Sequence, residues 1–104
     1  MRVQKEGQLF QSPLFGLVVN KLETREQRLE TKFGFIVSKK ISKKAVERNR
    51  ARRLLSEVVR KLLPQIKSGY EGVFLAKKAL IGKSYEVVEK EVERVLEEAG
   101  VLKT

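Results

Sequence analysis

Residues 33–63 read FGFIVSKKISKKAVERNRARRLLSEVVRKLL, with Pro64 directly after them. Across residues 33–38, Phe33, Phe35 and Val37 fall on one side, the period of two that a sheet strand imposes. From about Lys43 to Leu63 the period changes. At 100° per residue, Ala51, Leu54, Leu55, Val58, Val59 and Leu62 gather on one side of a helix. Asn49, Arg50, Arg52, Arg53 and Arg60 gather on the other. Pro64 has no N–H to continue the helix, so the helix stops there. The segment therefore predicts a strand feeding an amphipathic helix with an apolar stripe and a cationic face.

Upstream, residues 14–20 (LFGLVVN) form a continuous apolar run with β-branched members, which reads as a mostly buried strand. The polar stretch 21–31 (KLETREQRLET) is expected to be a hairpin tip joining that strand to the next. Downstream, Gly69 allows a turn and GVFLA at 72–76 reads as a short buried strand. Ser84 is a candidate N-cap for a last helix over 85–99. Its stripe is Tyr85, Val88, Val92, Val95, Leu96 and Ala99. Glu86, Glu89, Glu91 and Glu93 lie outside the stripe near the start, where the helix dipole favours acids, and Gly100 ends the helix. The order strand, strand, helix, strand, helix predicts an α/β (α+β) two-layer sandwich with a β-α-β connection through the basic helix.

A chain of 104 residues with 41% hydrophobic side chains suits one domain. No run approaches the roughly 20 apolar residues of a membrane span, and the N-terminus has no secretory h-region, so a cytoplasmic protein is expected. There is no Cys, His, Trp or Asp, and all 13 acids are Glu. Disulfides, the usual zinc sites, and Ser-His-Asp or Cys-His nucleophile systems are thereby excluded.

The net charge is +10, and residues 39–61 alone contribute +8. Within them, Lys39 to Arg53 hold eight Lys or Arg and one acid, Glu47. A merely solvated helix mixes signs to gain i, i+4 pairs, whereas here neighbours repel. Such a block points to a polyanion partner. Arg48, Arg50, Arg52 and Arg53 supply planar forks that hold phosphate bidentately and stack on bases. Lys39, Lys40, Lys43 and Lys44 supply point charges at the strand-to-helix turn, where the helix N-terminus adds backbone donors. Asn49 has two readings: a reader of a base edge or 2′-hydroxyl, or a hydrogen-bonding partner for a neighbouring loop.

These residues resemble the signature of the bacterial ribonuclease P protein component. That family has a V-[SA]-K-K strand end, a short linker and an A-x-x-R-N-R-x-[KR]-R helix. Here they are Val37-Ser38-Lys39-Lys40, then Ala45, Arg48-Asn49-Arg50 and Arg52-Arg53. GVFLAKKA resembles the family's short strand with its basic turn, and YEVVEKEVERVLEEAG its C-terminal helix. The resemblance covers roughly residues 5–99.

The resemblance implies a small mixed sheet with a left-handed β-α-β crossover, like domain 2 of ribosomal protein S5. It implies a protein cofactor to a catalytic RNA, the two together removing the 5′ leader of precursor tRNA with Mg²⁺ held mainly by the RNA. Lys39, Lys40, Lys43, Lys44, Arg48, Asn49, Arg50, Arg52, Arg53 and Arg60 are then the RNA-contacting candidates. Phe15, Val18, Phe35 and Val37 are the candidates for the leader cleft on the sheet. Phe15 and Phe35 read equally as base-stacking platforms or as core, and Phe33 as core.

The expected partners are the catalytic RNA and precursor tRNA, with no DNA and no membrane. Three departures from the family pattern stand out. Val18 takes a place where many members have an aromatic, and Ser56 one where a basic residue is common. MRVQKEGQLF lines up with the end of the family's N-terminal helix, most of which is expected to be missing from this single domain. The alternative is another structured-RNA-binding protein, such as a ribosomal protein.

Overall fold

A computed structural model describes residues 7–22 and 31–103. Four strands and two helices follow one another: β1 (Gln8–Gln11), β2 (Phe15–Lys21), β3 (Lys32–Ile36), α1 (Ala45–Leu62), β4 (Tyr70–Ala76) and α2 (Tyr85–Glu98). Short 3-10 turns occupy Leu63–Gln65 and Lys78–Leu80. The sheet order is β1-β2-β4-β3; β2 runs antiparallel to β1 and β4, and β3 runs parallel to β4. Parallel neighbours need a crossover rather than a tight turn, and α1 supplies it. The expected α+β sandwich with a small mixed sheet and a β-α-β unit is the observed architecture.

The strand pairing differs from expectation. β2 and β3 do not form a hairpin, because β4 lies between them and pairs with both. Composition explains the central place of β4. Its Gly72, Phe74 and Ala76 are buried, whereas β3 alternates exposed and half-buried residues from Lys32 to Ile36, a pattern suited to an edge. The expected hairpin tip falls mostly on 23–30, outside the described residues. β1 is an element that sequence reading missed. Gln8, Leu9 and Phe10, aligned above with the end of a helix, form an edge strand instead. The remainder of that segment, residues 1–6, lies outside the described residues.

Directly opposed residues of paired strands share a face. One face carries Phe10, Phe15, Leu17, Val19, Phe33, Phe35, Phe74 and Ala76 by register. Both helices pack here, with Ala51, Leu55, Val58, Val59 and Leu62 of α1 and Val88, Val92, Val95 and Leu96 of α2 buried. Phe74 is the hub: Phe15 meets it edge-on at 5.2 Å between ring centres, Phe35 stacks on it at 5.5 Å, and Phe33 tilts against it at 5.5 Å. Gly72 leaves room for Phe33, since a Cβ there would sit 2.9 Å from the ring. The opposite face carries Leu9, Val18, Gly34, Ile36, Val73 and Leu75, and Leu9 and Ile36 are 55% and 50% exposed.

Helix ends follow their local chemistry. Ser84 Oγ accepts from the Val87 N–H as the N-cap of α2, as its position suggests. Gly100, at φ +77°, takes the left-handed conformation that stops α2. Lys61 bridges α1 to α2 through Glu89 at 2.7 Å, and this carboxylate raises the Lys61 pKa above its ordinary value.

Candidate nucleic-acid interface

The turn that lifts the chain from β3 into α1 is closed by the Ile41 N–H donating to the Ser38 carbonyl at 3.0 Å. Ile41 is half-buried against the core, so the lysines around it point away. Ser42 then organises the start of the helix. Its hydroxyl donates to Glu47 Oε1 at 2.6 Å and accepts from the Lys44 N–H at 3.2 Å, and its carbonyl accepts from Arg48 Nη1 at 2.9 Å. Glu47, the one acid within residues 39–53, is thus engaged by a hydroxyl, and it forms no ion pair among the described residues.

Lys44 is the N-cap, in extended conformation, and no side chain caps the first turn. The leading N–H groups therefore keep their partial positive charge beside exposed Lys39, Lys40, Lys43 and Lys44. Along α1, Asn49, Arg50, Arg52, Arg53 and Arg60 are exposed and Arg48 is half-buried. Between Arg48 and Arg60 the helix rises about 18 Å at 1.5 Å per residue, so the cationic strip is long enough to follow several phosphates. Among the described residues, none of these nine lysines and arginines forms an ion pair; the three ion pairs use Lys61 and Arg94. Asn49 Oδ1 accepts from Arg52 Nη1 at 3.0 Å and so orients that guanidinium.

The ten RNA-contacting candidates all lie on α1 and the turn that leads into it, but the four cleft candidates do not share one face. Phe15 is 0% exposed at the centre of the core, and Val37 is 5% exposed, so neither offers a face to a ligand. The reason is their place on the helix-covered side, where both helices bury them. Phe35 lies on that same side but stays half-buried at the β3 edge. Only Val18 belongs to the open face. Leu9, Ile36, Val73 and Leu75 share that face and were missed. Ile36 and Leu75 sit at the positions opposite in parity to Phe35 and Phe74, which is the signal that identifies them.

Fold and surface together define a class: a small α+β sandwich presenting a strongly basic helix on one side and an apolar sheet face on the other. The family described as Ribonuclease P matches residues 1–100. A ribonuclease P protein component from Microcystis aeruginosa is 39% identical over 72 residues, 69% of this chain and 60% of its own length. One from Clostridium kluyveri is 37% identical over 103 residues, 97% of this chain and 88% of its own. In the first of these relatives the matched stretch thus spans less than two thirds of that protein's length. The RNase P protein from Thermotoga maritima has a similar fold, with a TM-score of 0.77 at 23% identity over 90% of this chain and 84% of its own. The chain belongs to the ribonuclease P protein family.

No helix among the described residues is long and apolar enough to cross a membrane.

Proposed function

We propose that this chain is the protein subunit of a ribonuclease P, binding its catalytic RNA through α1 and the 5′ leader of precursor tRNA on the sheet. The observation that carries the reading is the basic surface from Lys39 to Arg60, free of ion pairs among the described residues, on a chain of this family. Phosphates are attracted to such a surface with release of counterions, whatever the sequence of the RNA. Arg52, held by Asn49, and Arg48, held by the Ser42 carbonyl, are already oriented, so less freedom is lost when they grip phosphate.

The open face suits a flexible single strand. Val18, Val73, Leu75 and Ile36 supply an apolar floor, and the exposed Gly34 lets a backbone approach closely. Without an aromatic at Val18, leader bases would rest on aliphatic side chains. That favours shape and length over base identity. The leader strand and the catalytic RNA then lie on opposite sides of the sheet, and the protein bridges the two RNAs.

Mg²⁺ belongs to the RNA in this reading, and so does hydrolysis. Among the described residues no group of three acidic side chains gathers to hold a metal ion. The protein's part is to position the leader and lower the electrostatic cost of bringing two polyanions together. The compartment that goes with it is the cytoplasm.

Filter binding to catalytic RNA, with a ribosomal RNA fragment of equal length as competitor, tests the reading. The catalytic RNA should resist competition at physiological salt. Equal displacement by the ribosomal fragment would favour a general structured-RNA binder.

A further inference from the structure

We propose that the groove between α1 and β3 receives one unpaired base of the catalytic RNA, a contact separate from the leader face. The inference rests on the reading above that α1 binds that RNA. The groove has Phe33 and Phe35 on its sheet wall and Ser56, Val59 and Arg60 on its helix wall. Both phenylalanines are half-buried, and each has its inner side against Phe74 at 5.5 Å. The core therefore backs the rings and holds them in place while part of their surface stays open.

Size and charge decide what fits. The groove holds about 160 Å³, well under the roughly 300 Å³ at which pockets begin to enclose a drug-sized ligand. It has room for one planar ring, and a sugar and phosphate would remain outside. Arg60 lies at its mouth, two helical turns along α1 from the exposed Arg53, so the phosphate strip runs directly to the groove. Among the described residues, Ser56 Oγ and the Arg60 guanidinium have no hydrogen-bonding or ionic partner. Ser56 is thus placed to bond a base edge. A cationic track beside an aromatic surface is the arrangement that takes single-stranded nucleic acid.

The sides of the sheet name the RNA. Phe33 and Phe35 are on the helix side, and Val18 and Ile36 are on the other. An RNA lying along α1 reaches the groove without crossing the sheet, whereas a leader on the open face does not.

The test compares the full chain with Phe35→Leu, Phe35→Tyr and Ser56→Leu. Phe35→Leu removes the ring but keeps apolar volume, and Ser56→Leu fills the groove from the helix wall without touching the buried stripe. With catalytic RNA alone, Phe35→Leu and Ser56→Leu should each bind roughly tenfold more weakly, the loss of one base stack. Their log–log salt dependence should match the parent's, since no phosphate contact is lost. Phe35→Tyr should bind like the parent. Unchanged affinity in both leucine variants, or a loss seen only with leader-bearing precursor tRNA, overturns the proposal. If those variants bind normally while the parent still binds catalytic RNA, the groove fails and the function stands. If the parent binds none, the functional reading itself has failed.

Discussion

Ser12 Oγ donates to Glu91 Oε1 at 2.9 Å, joining the β1–β2 turn to α2 across 79 positions of sequence. The same hydroxyl accepts from the Leu14 N–H at 3.0 Å, and Ser12 is 3% exposed. Lys77 closes the turn from the other side, donating to Gln11 Oε1 and the Ser12 carbonyl, each at 2.8 Å. These contacts pin the edge strand β1 and so fix one border of the open face.

Ser12→Ala is therefore expected to destabilise the fold by about 1–3 kcal/mol at pH 7, because the Leu14 N–H loses its acceptor and Glu91 a donor. The loss should depend on pH. Hydrogen bonding by Arg94, and then by Ser12, lowers the Glu91 pKa below its ordinary value. A lowered carboxylate contributes stability above the ordinary carboxylate range and loses it as pH falls through the folded-state pKa. Urea unfolding of parent and variant should show a gap that narrows from pH 7 to pH 3 without closing. A constant gap would separate Glu91 from this effect.

Arg52→Ala combined with Arg53→Ala should weaken catalytic-RNA binding and flatten its salt dependence. Each lost phosphate contact lowers the log–log slope by about 0.9 for a duplex-like site. A titration series from low to high salt reads this directly. An unchanged slope removes this part of α1 from the interface.

Ile36→Glu puts a carboxylate on the open face at a position already half exposed. It should reduce the preference for precursor over mature tRNA in the assembled ribonucleoprotein and leave affinity for catalytic RNA within about twofold, since exposed charges across the sheet are strongly screened. An equal loss for both tRNA forms would place the leader elsewhere.

Gly72→Ala should cost about 1–3 kcal/mol by overpacking. The new Cβ would meet Phe33 Cε1 at 2.9 Å and the Val18 carbonyl oxygen at 3.1 Å. Phe33→Leu in the same chain should recover part of that loss, because only the ring contact is relieved. Additive losses in denaturant melts would mean that Phe33 already has room to move.

The helices were legible because their patterns are long. The apolar stripe of α1 recurs from Ala51 to Leu62, and the one-sided arginines follow from the same wheel. The sheet was less so. QLFQ is four residues with a single half-buried side chain, too short to show a period. Strand order depends on contacts between distant segments, and nothing local in GVFLA states that it pairs on both edges. The cleft candidates show both the reach and the limit of alternation. Phe15 and Val18 are three apart on one strand, so they face opposite ways, and that much was readable. Which of the two faces the helices cover was not, because burial is decided by elements far along the chain, such as α2.

The most direct test of the central claim is cleavage of precursor tRNA by a bacterial ribonuclease P RNA at low Mg²⁺, with and without the protein. Cleavage at the mature 5′ end should require the protein, and the Arg52→Ala, Arg53→Ala chain should need far more protein for the same rate. Tight binding to the RNA with no stimulation of cleavage at any protein concentration would contradict the account.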